Sequence, residues 1–555
     1  MERNRWYKDA FIYQIYPRSF KDSNDDGIGD INGIIEKLDY LSFLGIDAVW
    51  LSPVYKSPND DNGYDISDYR NIMDDFGTLD DWKLMISEMH KRNIKLIMDL
   101  VINHTSDEHN WFKEARKDVN SPYRDYYFFR KGIDGKKPNN WTSFFGGDAW
   151  EYNPDTDDYY LHLFTKKQPD LNYNNPKVME EIKSIINYWL ELGVDGFRCD
   201  VITLISKDKE LPNGKWNIAL VGKEHYLNGK HIHEYLHELY LDAFSKYNAM
   251  TVGESVLMNV DTAPYYVKED REELDSLFTF EHMDVDNFFG VKYLMRKFKL
   301  KRLKKVLSKW QDKMYGIGWN SLYLENHDQP RSIGRFNTKL EYHDLGCKML
   351  ATMIYFLQGT PYIYQGQEIG MTNGDFKTIE DFKDTETLNI LKVSKKMGIP
   401  KSYIMKAIFK RSRDNARTPM QWDDSKNAGF TKGIPWIKVN NNYKNINVKA
   451  NIENDDSVLN YYRKLISIRK NNDIVRNGKY IEHYKKSKNL YVYSRVYEDK
   501  SLLVITNFSD KNQKFDLMDE FRNKKSKCLL ANYGDVVDIN SFLLRPYEAR
   551  VYYFE

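Results

Sequence analysis

Cysteine is scarce: Cys199, Cys347 and Cys528 are the only three among 555 residues, and none forms a CxxC pair. Neither a disulfide framework nor a thiolate zinc site is indicated. No charge of one sign dominates, since 82 Lys plus Arg stand against 81 Asp plus Glu for a formal net charge of +1. That leaves no whole-chain field to draw nucleic acid or anionic lipid. No apolar run approaches the ~18 residues of a membrane span. The opening MERNRWYKDAFIYQIYP puts charge and aromatics where a secretory signal would carry a clean apolar core. These absences predict a soluble, cytoplasmic protein with no nucleic-acid and no membrane partner. Length and aromatic rings, by contrast, are plentiful. The chain is more than three times a ~150-residue domain, which excludes a single small binding module. Its 41 Tyr, 28 Phe and 12 Trp make it 15% aromatic, suited either to stacking platforms for flat, weakly charged ligands or to a Tyr-rich core.

The first third alternates short apolar runs with amphipathic segments. Ala10–Tyr16 reads as a strand, and Ile34, Leu38, Leu41 and Leu44 recur at helical spacing before Gly45. A strand at Ala48–Leu51 follows. Thr78 and Asp81 form a capping-box pattern ahead of a helix carrying Trp82, Met85, Ile86 and Met89, and the run Ile94–Ile102 comes next. After a polar, aromatic stretch, Asn175 and Pro176 open a helix whose apolar face is Val178, Ile182, Ile185, Ile186 and Trp189. Apolar runs at 196–202, 249–252, 277–280, 321–324 and 361–364 bring the candidate parallel strands to eight. The pattern predicts an α/β fold, a (β/α)8 TIM barrel over 1–104 and 174–480 with an insertion domain at 105–173 after strand three. Short alternating runs near the end predict a C-terminal all-β domain, a sandwich over 481–555.

Polar residues cluster at the C-terminal ends of these strands, where a barrel of this kind builds its active site. Strand three ends in DLVINH (Asp99, Asn103, His104), strand four in GFRCD (Arg198, Asp200), strand five in VGE (Glu254) and strand seven in ENHD (His327, Asp328). One strand-end acid is usually a loop cap or a solvated charge; four such ends in register argue otherwise. Carboxylates, an arginine and two histidines converging on one pocket fit general-acid and nucleophile chemistry on an uncharged, polyhydroxylated substrate, most simply at a glycosidic bond.

GFRCDVI, VGES and ENHD, with DLVINH upstream, resemble the signature regions of the α-amylase family of retaining α-glycosidases. QPDLN (Gln168–Asn172) resembles the insertion-domain motif of that family's oligo-1,6-glucosidase subgroup, and the likeness continues in DNGYDISDY, GTPYIYQGQEIGM and DNARTPMQW. By position the resemblance implies that Asp200 is the nucleophile, Glu254 the general acid/base and Asp328 the transition-state carboxylate. Arg198, two residues before Asp200 on the same strand face, is expected to hold the nucleophile charged. The carboxyl groups of a retaining pair should lie about 5–5.5 Å apart. His104 and His327 would donate hydrogen bonds to sugar hydroxyls, and Tyr64 and Phe164 would supply stacking surfaces. Asp65 and Arg417 match residues that pair and clamp the terminal glucose, which implies exo-action on short oligosaccharides. Val201, leaving the inward face by alternation, is expected to wall the acceptor site and favour α-1,6 bonds. Cys199 reads as packing. Gln367 and Glu325 depart from the subgroup's usual residues and are expected near the pocket rim.

The segment Asp22-Ser-Asn24-Asp-Asp26-Gly-Ile28-Gly-Asp30 places oxygen donors at positions 1, 3, 5 and 9 of a loop, with the Ile28 carbonyl at 7. This is the front of an EF-hand-like loop, but position 12 is Gly33 and no helix precedes it, so a Ca2+ sensor is not expected. The resemblance implies a structural Ca2+ or Mg2+ here and no organic cofactor. The expected activity is exo-hydrolysis of α-1,6 bonds in short isomalto-oligosaccharides by a monomer. A trehalose-6-phosphate hydrolase, which would need cations at the acceptor rim, is the nearest alternative. A sucrose-active transferase is less favoured because Arg331–Arg335 reads RSIGR, and a non-catalytic binding subunit conflicts with the intact carboxylates.

Overall fold

Eight parallel strands form the centre of the molecule: β1 (Ile12–Ile15), β2 (Ala48–Leu51), β3 (Lys95–Leu100), β4 (Gly196–Cys199), β5 (Met250–Glu254), β6 (Ser276–Phe278), β7 (Ser321–Leu322) and β8 (Thr360–Tyr364). In the computed structural model, which describes residues 5–217, 220–336, 338–535 and 539–555, they pair in the order β6-β5-β4-β3-β2-β1-β8-β7. The first four residues of the amino-terminal stretch lie outside the described residues. A parallel bridge from Leu277 to Asn320 links the two outer strands, so the sheet is a nearly closed barrel. All eight expected strands are present: Ala48–Leu51 coincides with its run, Met250–Glu254 and Thr360–Tyr364 run one residue longer than theirs, and the other five are shorter. The interior below the site is filled by rings: Trp50 packs on Phe278 at 5.2 Å, and Phe278 on Tyr362 at 4.5 Å. Much of the aromatic content is therefore core.

Local signals set the helices that wrap the barrel. Helix α1 (Leu79–Lys91) starts at the Thr78/Asp81 capping box and buries Trp82, Met85, Ile86 and Met89. Helix α2 (Pro176–Glu191) starts at Asn175, whose side chain accepts from Lys177 N–H, and buries Val178, Ile182, Ile185, Ile186 and Trp189. Between β3 and α2 the insertion folds around a three-stranded antiparallel sheet, with Asp158–Leu161 between Phe129–Arg130 and Trp150–Asn153. Its core does not stop at residue 173. Trp141, Trp150 and Leu163 pack with Val201, Leu204, Leu211 and Tyr226 from the segment after β4, so that segment and the insertion share one apolar cluster.

After β8 the chain makes an excursion that the sequence pattern did not single out. Helices α3 (Thr385–Lys396) and α4 (Lys401–Arg411) pack there with Tyr293, Phe376, Phe382, Ile404 and Ile408. The C-terminal unit is antiparallel throughout, a five-stranded sheet facing a two-stranded one over Leu490, Val492, Leu503, Ile505 and Phe515. Its first strand, Lys479–His483, crosses the expected boundary at 480/481.

Candidate active site

The strand ends converge on a cavity of about 150 Å3 at the C-terminal mouth of the barrel. Asp200, Glu254 and Asp328 lie in its floor and wall, and Tyr64, His104, Phe164 and Val201 line it beside Phe144, Phe145, Gln168 and Val256. A volume of that order suits one sugar ring rather than a chain.

Arg198 is the hub beneath the floor. Its Nη1 donates to Asp200 Oδ1 at 2.7 Å and to Asp99 Oδ1 at 2.6 Å, while Nη2 stands 2.7 Å from Glu254 Oε2. The Asp200 and Glu254 carboxyl groups are therefore neighbours on the two terminal nitrogens of one guanidinium, which is 2% exposed. Burial pushes the Asp200 carboxyl above its ordinary range; Arg198 opposes this, and the negative charges of Glu254 and Asp99 add to it. Protons in such a pair belong to the pair, and one shared proton is what an acid and a nucleophile side by side require.

Strand β4 ends at Cys199. Asp200 N–H still donates to Leu100 carbonyl at 2.9 Å, but Val201 turns into the left-handed region (φ 35°, ψ 38°). Strand alternation therefore does not decide where Val201 points. The left-handed turn does, and it also aims Val201 N–H at Glu254 Oε2, 3.2 Å away. A β-branched residue in that region is strained, and its site in the wall of the cavity is where such strain collects.

Asp328 lies at the far wall. Burial acts to raise its carboxyl, yet it is held well below the ordinary carboxylate range by His327, Arg413 and Arg417. Burial pushes His327 itself down to about 3, so at neutral pH its ring is uncharged and the two arginines supply the charge. Arg417 Nη2 donates to Asp328 Oδ1 at 2.9 Å and its Nε to the His327 carbonyl at 3.0 Å. His327 stacks against Tyr64, with ring planes 6° apart, and stands one layer behind the cavity wall. His104, pushed down to about 4 by burial, is neutral as well, and its ring lies against Phe164.

Asp65 and Arg417, expected to form the sugar clamp, go to different partners. Asp65 is fully buried and accepts from Ser57 Oγ, Asp60 N–H and Asp61 N–H, so it braces the loop from below. The acid that reaches the cavity is Asp61, four residues earlier, and its partner is Arg413, four residues before Arg417. Arg413 Nη2 donates to Asp61 Oδ1 at 3.1 Å, and Nη1 to Asp328 Oδ1 at 3.3 Å. Both line the cavity, and neither was singled out from the sequence. The signal was present in the DxxxD and RxxxR spacings, but nothing local ranks one member above the other. Burial raises Asp61 to about 6 against the pull of Arg413 and Arg417.

Glu325 and Gln367 are not at the rim either. Glu325 is 3% exposed and binds Arg331 Nη1, Ser332 N–H and Ser332 Oγ; Gln367 accepts from Tyr364 N–H and donates to Tyr355 Oη. Both are internal braces. Cys199 is buried, as packing requires.

In the Asp22–Asp30 loop both oxygens of Asp22 accept backbone N–H groups, from Asn24, Asp25 and Gly27. Asp30 accepts from Ser23 and Gly33, and caps the following helix. The donors are all oxygens, a set that suits a hard cation. Among the described residues no three His, Cys, Asp or Glu side chains stand together as a ligating group, so any ion here would lean on Asn24 and the Ile28 carbonyl. Among the described residues no helix is long and apolar enough to cross a membrane.

Residues 14–478 match the α-amylase catalytic domain, and residues 490–551 match the C-terminal domain described for the α-amylase SusG. The oligo-1,6-glucosidase of Parageobacillus thermoglucosidasius is 55% identical over 553 residues, covering 99% of this chain and 98% of that one. That of Bacillus cereus is 52% identical, covering 99% of both. The crystal structure of Bacillus licheniformis trehalose-6-phosphate hydrolase superposes with a TM-score of 0.95 at 44% identity, covering 99% of this chain and all of that one.

Proposed function

The chain belongs to the α-amylase family of glycoside hydrolases, and from that premise we propose that it is an exo-acting α-glucosidase, cleaving α-1,6 bonds at the non-reducing end of short isomalto-oligosaccharides. The observation that carries the reading is the Asp61–Arg413 pair in the wall of a cavity sized for one ring, which the two carboxyl groups on Arg198 also line. Asp61 and Arg413 would take hydroxyls of the terminal glucose and close that end of the pocket. Asp200 then attacks the anomeric carbon as Glu254 gives its proton to the departing oxygen. Glu254 next takes a proton from a water whose oxygen attacks the anomeric carbon, which breaks the bond to Asp200 and releases glucose with its configuration retained. Asp328, held ionised by arginine, faces the positive charge that develops on the ring.

Trehalose-6-phosphate hydrolysis is the alternative that one relative's name raises. It would call for a free cation to meet the phosphate. Arg413 is the one cation among the described residues lining the cavity, and it is committed to Asp61, Asp328 and Asp384; the apolar lining includes Val201, Val256, Phe144 and Phe145. That favours a neutral acceptor sugar. Glucose release from isomaltose, maltose, sucrose and trehalose-6-phosphate tests the reading: isomaltose is expected to be the best of the four, and preference for trehalose-6-phosphate would overturn it.

A structural Ca2+ or Mg2+ held by Asp22, Asn24, Asp26, the Ile28 carbonyl and Asp30 is part of the same proposal, supported by the oxygen-only donors and the burial of Asp22 and Asp30. Such an ion stabilises the native state by linkage. EDTA should lower the melting temperature more than it lowers activity at 25 °C; identical melting curves at matched ionic strength would remove the ion. Action in the cytoplasm is also proposed, supported by three unpaired thiols that suit a reducing compartment, and the monomeric state is a separate proposal that these thiols do not bear on.

A further inference from the structure

The excursion after β8 carries a buried acid that the reaction itself does not use. Asp384 is 1% exposed and does not line the cavity. On one edge, its Oδ1 takes Arg413 Nε at 2.8 Å and Nη2 at 2.6 Å, and lies 3.6 Å from Arg417 Nη1. On the other, its Oδ2 accepts from Thr387 N–H at 3.1 Å and Thr387 Oγ1 at 2.8 Å, which makes it the N-cap of α3. Its own N–H donates to Asp414 Oδ2 at 3.0 Å. Against burial, the two guanidinium charges hold its carboxyl well below the ordinary range, so it is a fixed anion.

Arg413 Nη2 is shared, donating to Asp61 Oδ1 as well as to Asp384, while Nη1 donates to Asp328 Oδ1. Asp61 and Asp328 face the substrate and must share their hydrogen bonds with sugar hydroxyls once a ring enters. Asp384 need not, because it sits behind the guanidinium and away from the cavity. Glu386, 3.6 Å from Arg413 Nε, is already paired with Lys292 at 2.8 Å and is a weaker anchor. A flexible arginine serves a binding site well only when something outside the site fixes its rotamer beforehand.

We infer that Asp384 is a positioning residue: it pins Arg413 from behind in the orientation that pairs with Asp61, and so makes the N-terminus of α3 the base of the sugar clamp. This rests on the clamp reading above. Loss of the Asp384 charge would leave Arg413 able to turn, and would weaken ground-state binding of the terminal glucose more than it slows the chemical step.

The competing role is a helix cap alone, and three variants separate the two. With the full-length enzyme, Asp384→Asn is expected to raise both KM for isomaltose and the inhibition constant of free glucose by about 10-fold or more, with a smaller fall in kcat. Thr387→Val removes a hydroxyl that meets Asp384 Oδ2 and Ser412 Oγ, each at 2.8 Å, but leaves the Asp384 charge and its bonds to Arg413 in place; it should lower the melting temperature while leaving both constants within about twofold. Arg413→Ala should raise both constants at least as far as Asp384→Asn. Unchanged constants in Asp384→Asn with raised ones in Arg413→Ala would overturn the inference and leave the clamp standing. Unchanged constants in Arg413→Ala would bring down the clamp reading itself. Equal increases in Thr387→Val and Asp384→Asn would make the cap, not the charge, responsible. Should Asp384→Asn fail to accumulate folded, Asp384→Ser keeps a capping oxygen without the charge and serves the same comparison.

Discussion

Asp61 and Arg413 meet at 3.1 Å in the cavity wall although 352 positions separate them in the chain. One sits in the loop after β2, the other just past α4, and the barrel brings the two together above β2 and β8. Asp61→Ala and Arg417→Ala therefore have different expected outcomes. Removing Asp61 should cost at least ~1 kcal/mol of binding, seen as a rise in KM. Removing Arg417 should mainly slow kcat, because Arg417 meets Asp328 and stands outside the cavity lining. Steady-state kinetics on isomaltose checks both, and equal KM effects would contradict the assignment.

Asp200→Asn and Glu254→Gln should each lower kcat by several orders of magnitude while the protein stays folded, as each removes a group the chemistry requires. An aryl glucoside with a good leaving group should partly restore Glu254→Gln, because protonation of the departing oxygen then matters less. Asp200→Asn should show no such recovery. Near-wild-type turnover of isomaltose by either variant would refute these roles.

For linkage, kcat/KM on isomaltose is expected to exceed that on maltose, and Val201→Thr to raise the relative rate on maltose. One wall contact is worth about 1–3 kcal/mol of discrimination, so the preference should be strong yet incomplete. The left-handed backbone adds a second expectation. Val201→Gly should fit the φ of 35° without strain while removing the wall, so selectivity should fall with little loss of folded protein. An unchanged ratio in both variants would place linkage choice elsewhere.

Burial raises Asp65 to about 7, against the N–H groups of Asp60 and Asp61. An unfolded aspartate titrates near ~3.9, so between about pH 4 and 7 the native state holds a proton that the unfolded state has lost. Wild-type stability from this group therefore falls as pH rises through that window. Asp65→Asn has no such titration, and its deficit relative to wild type should shrink by about 2–3 kcal/mol between pH 5 and pH 8. Melting curves at the two pH values test this; a deficit that grows with pH would contradict a raised Asp65.

The periodicity of the chain by itself determined the eight strands, the helices that Thr78 and Asn175 open, and the polar groups at the strand ends. These depend on contacts a few residues apart: period two or 3.6 and a side chain capping its own turn. Asp200, Glu254, Asp328 and His104 stand at the cavity because a strand end in this barrel has one direction to face. Which acid of Asp61 and Asp65, or which base of Arg413 and Arg417, meets the sugar was decided only by tertiary structure. Residues 59–63 turn through three left-handed positions, Asn59, Asn62 and Gly63, and this turn sends one carboxylate outward and folds the other beneath its own loop. The inward braces Glu325 and Gln367, the left-handed Val201 and the pinning of Arg413 by Asp384 depend likewise on partners from distant elements. Buried charge must find an opposite charge wherever the fold supplies one, and local sequence does not encode that position.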